Sequence, residues 1–186
     1  KWLGGKGVGV CYGGGTSTCE GKAAVGSPWQ CVELPQRLYK ARGWYTGRFG
    51  VDAYQIYGHA SAMGMTAIPQ GSITSIAPGD MVVFARGHGS DPVNGHVSVV
   101  DHVTGSNVYA VQQNGFFDEG HTQPRPTITY TWSKGTIKNG STVVEGIVHS
   151  PKNTLGGATA GGGYATDTQG RFFPLAGDWN GDGKTS

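Results

Sequence analysis

The chain has 186 residues, a formal net charge of +2 and only 14% charged residues. That length suits one domain with room for a core and a short appendage, while the weak charge and the lack of any lysine- and arginine-rich run exclude a phosphate-binding stripe. Thirty-four glycines point to a loop- and turn-rich fold rather than a helical bundle, and no apolar run reaches the roughly 18 residues of a membrane span.

Residues 1–26 show little periodicity and many glycines, an irregular entry expected to pack through Trp2 and Tyr12. The chain opens on Lys1-Trp2, without methionine or a leader-like apolar segment, and reads as a mature or excised piece. Its three cysteines are an odd number. Cys11 and Cys19 enclose a flexible Tyr-Gly-Gly-Gly-Thr-Ser-Thr loop, so the simplest bridged assignment pairs them and leaves Cys31 a free thiol in an exported protein. Three reduced cysteines in a cytosolic protein is the competing reading.

Ser27-Pro28-Trp29-Gln30 reads as a helix N-terminus, with Ser27 as N-cap, Pro28 at the first helical position and Gln30 completing a capping box. The helix is expected over Pro28 to Arg42, kinked at Pro35 and closed by Gly43. Cys31 then falls in the first turn, where unpaired N–H groups and the helix dipole favour a nucleophilic thiolate. A cysteine that only packs is the bland reading of the same position.

A second helical segment is expected at Val51 to Met63, with Ala53, Ile56, Tyr57 and Ala60 on one face and Gly64 closing it. His59, within it, reads as a satisfied or surface histidine. After Met65 the pattern turns to strands. Pro78-Gly79-Asp80 is a turn before the apolar run Met81-Val82-Val83-Phe84. The loop Arg86 to Asn94 leads through Asn94-Gly95 into a strand from His96 to Val103. Alternation puts Val97, Val99 and Asp101 on one face and His96, Ser98, Val100 and His102 on the other, with the His96 ring expected at the sheet edge towards the helix. Val108 to Gln113 should pair with that strand as an antiparallel hairpin, and 127–132 and 143–149 supply further strands. Helices first and an antiparallel sheet after is an α+β plan.

Residues 153–166, rich in Gly, Ala and Thr, read as a linker after a catalytic domain over 1–152, and 167–186 as a tail or the start of a repeat module. Asp178, Asn180 and Asp182, followed by Gly183, resemble the opening of a calcium loop that ends before its closing carboxylate. Calcium there competes with a plain polar tail, and no cofactor is required elsewhere. His88, His96 and His102 lack the spacing of a helical ligand pair.

A cysteine nucleophile needs a base and a group to orient that base. Cys31 at a helix start, His96 at a strand start and Gln112 or Asn114 at the end of the partner strand supply those types, and the amide of Gln30 either caps the helix or helps hold an oxyanion. Trp29-Gln30-Cys31-Val32-Glu33, Arg37-Leu38-Tyr39, Pro78-Gly79-Asp80, Gly95-His96-Val97-Ser98-Val99-Val100 and Gln112-Gln113-Asn114 resemble, in order, a CHAP domain, the cysteine, histidine-dependent amidohydrolase/peptidase, over roughly residues 25 to 150.

The resemblance implies a papain-like α+β fold with N-terminal helices packed on an antiparallel β-sheet. It also implies cleavage of peptide or amide bonds in bacterial peptidoglycan, as endopeptidase or N-acetylmuramoyl-L-alanine amidase. By position Cys31 is the nucleophile and His96 the base. Gln112 stands where the family commonly has glutamate, so an ion pair between Cys31 and His96 would rest on amide dipoles alone. No acid besides Glu20 lies in 20–30, so the calcium loop that precedes the nucleophile in some phage members has no counterpart. The expectation is a secreted or wall-associated monomeric enzyme with no nucleic-acid or membrane partner. A non-catalytic wall-binding module, or an amidase on a small peptide conjugate, is the second reading.

Overall fold

The computed structural model describes residues 2–5, 7–10, 30–88, 93–115 and 127–159, together with the backbone of 165–166 and 172–173. Cys11, Cys19, Ser27, Pro28 and the Asp178, Asn180, Asp182 loop lie outside the described residues.

Helix α1 spans Glu33–Ala41, later than expected. Gln30 carries no secondary structure, residues 31–32 form a turn, and Val32 is the N-cap with no side-chain cap bond. Gln30 is therefore no capping-box member. Pro35, placed in the first turn, has no helix before it to bend, because the N–H that proline lacks is one the first turn leaves unpaired anyway. Gly43 ends the helix at φ +69.

The second segment is shorter than the apolar pattern suggested, an α2 of Gln55–His59 followed by a 3-10 turn over Ser61–Met63. Its expected face is the buried one: Ala53, Ile56 and Ala60 are in the core. Gly64 closes it in the left-handed conformation, and the exposed His59 only bonds back to the Gln55 carbonyl.

The remaining chain is mostly antiparallel sheet. Strands β1 (Thr66–Pro69), β3 (Met81–Phe84), β4 (Val97–Thr104), β5 (Asn107–Gln112), β6 (Thr127–Ser133), β7 (Thr136–Lys138) and β8 (Val144–His149) form one sheet in the order β1-β8-β3-β4-β5-β6-β7. β2 (Ser75–Ile76) pairs apart from it with β9 (Ala158–Thr159). The sheet curls until its edges approach. Gln70, just past β1, donates to the carbonyls of Ile137 on β7 and Val144 on β8 at 2.9 and 3.0 Å.

Curling separates two cores. Inside lie Val82, Phe84, Val100, Val108, Ile128, Tyr130, Trp132 and Ile147. Outside, Met81, Val83, Val97, Val99 and Val148 share a cluster with Leu38 and Tyr39 of α1, Ile56 of α2 and Cys31. The alternation expected along β4 holds to Val100. A register shift between Val100 and His102 then carries His102 out of the interior, where it stacks on Tyr109 at 4.5 Å.

The stretch expected to open a linker begins packed. Asn153 is buried and donates to the Pro78 carbonyl at 2.9 Å, and Ala158 sits in the inner core. β8, from the second half of the chain, lies between β1 and β3.

Candidate active site

His96 sits immediately before β4, where Gly95 turns the chain at φ +69. A β-carbon at Gly95 would also come within 2.9 Å of the Tyr54 Cβ, so close approach and backbone conformation both call for glycine there. Alternation places the ring on the inner side, against Phe84 at 5.4 Å between centroids. The adjacent Val97 and Val99 lie in the outer cluster with α1 and Cys31.

The pairing of Ser98 with Gln112 brings the end of β5 beside the start of β4. Nε2 of His96 lies 2.9 Å from Oε1 of Gln112, while the Gln112 amide nitrogen faces the Thr127 carbonyl at 3.5 Å. An amide oxygen only accepts, so Nε2 carries the proton and Nδ1 is the nitrogen that titrates. The ring is fully buried, and burial lowers its pKa from 6.5 to about 4, the Gln112 bond opposing this only in part. Gly115 leaves room for the amide, since a β-carbon there would fall on it.

Cys31 is a buried free thiol at the turn leading into α1. Its neighbours are tied to the end of β5. Asn114, left-handed at φ 51, donates to the Gln30 side-chain oxygen at 2.9 Å, and Gln113 donates to the Gln30 backbone carbonyl at 3.1 Å and to Glu33 at 2.8 Å. Three consecutive residues thus divide the work. Gln112, on the inner side, holds the imidazole, while Gln113 and Asn114 hold the chain on both sides of Cys31. Of the two residues read as orienters, Gln112 is the one bonded to the imidazole, and Asn114 bonds Gln30 instead.

A family model, the CHAP domain, matches residues 22–114, half of the chain. The chain belongs to the CHAP family. Members of that family are generally hydrolases of the amidase and peptidase kind. No curated protein matches the chain. The CHAP match contains Cys31, His96, Gln112 and Asn114 and ends on the last of them.

Glu33, Arg37 and Gln113 stand in the motifs that carry the resemblance, but sequence reasoning gave them no role, although the i,i+4 spacing of Glu33 and Arg37 is the signal of an ion pair. Among the described residues no three His, Cys, Asp or Glu side chains gather as metal ligands. No described helix is long and apolar enough to cross a membrane.

A second imidazole lies at the other end of β3. His149, the last residue of β8, donates from Nδ1 to Asp80 at 2.7 Å, and Asp80, buried in the Pro78-Gly79-Asp80 turn, also accepts from the Ala77 N–H at 2.8 Å. Here the hydrogen bond to the carboxylate raises the pKa of His149 above 6.5.

Proposed function

We propose that this CHAP domain is a peptidoglycan hydrolase of papain-like plan, in which Cys31 attacks a peptide or amide carbonyl and Nδ1 of His96 takes the thiol proton. The observation that carries the reading is the Gln112-Gln113-Asn114 run. One strand end bonds the imidazole through its first residue and Gln30, beside Cys31, through the next two, which supports reading the cysteine and the imidazole as one site.

In the reaction, the S–H bond breaks as sulfur bonds the carbonyl carbon, and His96 holds the proton as imidazolium. The Cys31 backbone N–H and the Gln30 side-chain amide are the groups offered to the oxyanion, with Asn114 orienting Gln30. The proton then passes to the leaving amine, and water, deprotonated by the same Nδ1, clears the acyl-enzyme. Burial lowers the pKa of His96 to about 4, so the imidazole is neutral at neutral pH and able to take the thiol proton.

We place the enzyme outside the cell or at the wall, as a monomer acting on stem peptides or the N-acetylmuramoyl-L-alanine bond. The catalytic domain takes in 1–152 with the packed 153–159 stretch, and calcium at Asp178, Asn180 and Asp182 stays a proposal for the tail. The test is digestion of purified peptidoglycan with mass spectrometry of the products. Wild type should create new amino termini that Cys31→Ala and His96→Ala do not. Equal product from the Cys31→Ala variant would refute the mechanism, and no product from any of the three would favour a wall-binding module.

A further inference from the structure

Glu33 is a fully buried carboxylate two residues from Cys31, at the first position of α1. A lone negative charge there would oppose a thiolate at the same helix end, where the dipole favours one. It is not alone. Arg37 closes on it with two bonds, Nε to Oε1 at 2.8 Å and Nη2 to Oε2 at 3.1 Å, and Nη2 also reaches the Gln113 side-chain oxygen at 3.3 Å. The Gln113 amide completes the loop by donating to Glu33 and to the carbonyl of Gln30, the residue that precedes Cys31.

We propose that Glu33, Arg37 and Gln113 form a positioning network for Cys31, in which Gln113 fixes the peptide leading into the nucleophile and Arg37 cancels the Glu33 charge at the sulfur. This rests on the reading of Cys31 as nucleophile. The network touches no substrate and acts through the cysteine it holds. Gln113 clamps, because one amide nitrogen shared between a backbone carbonyl and a buried carboxylate fixes the strand end against the turn. Arg37 neutralises, because its planar fork matches both carboxylate oxygens.

The two roles have separate signatures. Arg37→Met leaves the buried Glu33 charge uncompensated two residues from Cys31, so the pH midpoint for alkylation of Cys31 by iodoacetamide, read by peptide mass spectrometry without substrate, should rise by about one unit. Adding Glu33→Gln to Arg37→Met should bring the midpoint back, a rescue that loss of packing alone would not give. Gln113→Met, similar in shape but unable to donate, should lower kcat on purified walls roughly tenfold with KM kept, since an orienting contact acts in the transition state.

Folded variants, checked by near-ultraviolet circular dichroism, with a wild-type alkylation midpoint in Arg37→Met and wild-type kcat in Gln113→Met would overturn the proposal. So would a raised midpoint that Glu33→Gln fails to restore. If Arg37→Met does not fold, Arg37→Lys is read in its place, with a smaller rise expected and an unchanged midpoint counting against the network. Full wall hydrolysis by Cys31→Ala would instead refute the catalytic reading, while the alkylation data still decide whether the network tunes the thiol.

Discussion

The protein holds two imidazoles by almost the same bond and gives them opposite character. His96 donates to an amide oxygen at 2.9 Å and is fully buried; His149 donates to a carboxylate at 2.7 Å and its side chain is 31% exposed. The first is pushed down to a pKa of about 4, the second up from 6.5. What separates them is one formal charge and the water around the ring. An amide oxygen favours the ring's cation only in part, so burial dominates and the ring stays a neutral base. A carboxylate orients the ring and favours its cation at once, and the pKa of His149 rises.

Removing the base itself is the largest way to break this comparison. His96→Ala should lower hydrolysis of purified walls by roughly 10²- to 10⁴-fold, the usual contribution of a general acid or base, while His149→Ala should leave turnover near wild type. Equal losses in a turbidity assay would mean that the two imidazoles do not differ in role.

Exchanging the partners comes next. Gln112→Glu gives His96 the kind of neighbour His149 has, and should raise its midpoint by about 1–3 units in an NMR titration. The base must be unprotonated, so the acid limb of kcat/KM should move up with it. The same variant changes stability against pH. Because folding lowers the pKa of His96, the unfolded chain binds more protons as pH falls below 6.5, and wild-type stability should drop between pH 6.5 and about 4. Urea midpoints across that window should fall less in Gln112→Glu than in wild type.

At the other site the sign reverses. The raised pKa of His149 adds stability that is present below pH 6.5 and lost as pH rises through the folded value. Asp80→Asn should remove that dependence. It should also cost about 1–3 kcal/mol, because a buried acceptor of several bonds is altered, and chemical denaturation reads both effects.

The smallest change sharpens how His96 is placed. Gly95→Ala puts a side chain at φ +69 against Tyr54, and should cost roughly 1–2 kcal/mol with a matching loss of thermal stability. An unchanged melting temperature would show that the turn before His96 relaxes freely.

What the sequence revealed follows from how local each signal is. The Met81–Phe84 strand, the β4–β5 hairpin and the buried face of Ala53, Ile56 and Ala60 are written in short-range alternation and periodicity, and they are present. The start of α1 was misplaced because Ser27-Pro28 satisfies a capping pattern, while the chain through residues 30–32 answers to bonds from Gln113 and Asn114, some 80 residues away. Alternation tells which residues share a face but not which face meets the helices, and that depends on how the seven-stranded sheet curls. Motif order singled out Cys31, His96 and Gln112, and the last two are bonded to each other. The Glu33, Arg37 and Gln113 network was not legible, since nothing in one dimension says that an ordinary helical ion pair will be buried against a distant amide.

The most direct test of the central claim is the rate at which iodoacetamide alkylates Cys31 near pH 7 in wild type and in His96→Ala, resolved from Cys11 and Cys19 by peptide mass spectrometry. If Nδ1 of His96 accepts the thiol proton, the rate should fall by roughly a hundredfold when the imidazole is removed. The same rate in both proteins would mean that the sulfur and the ring do not share a proton, and would contradict the account.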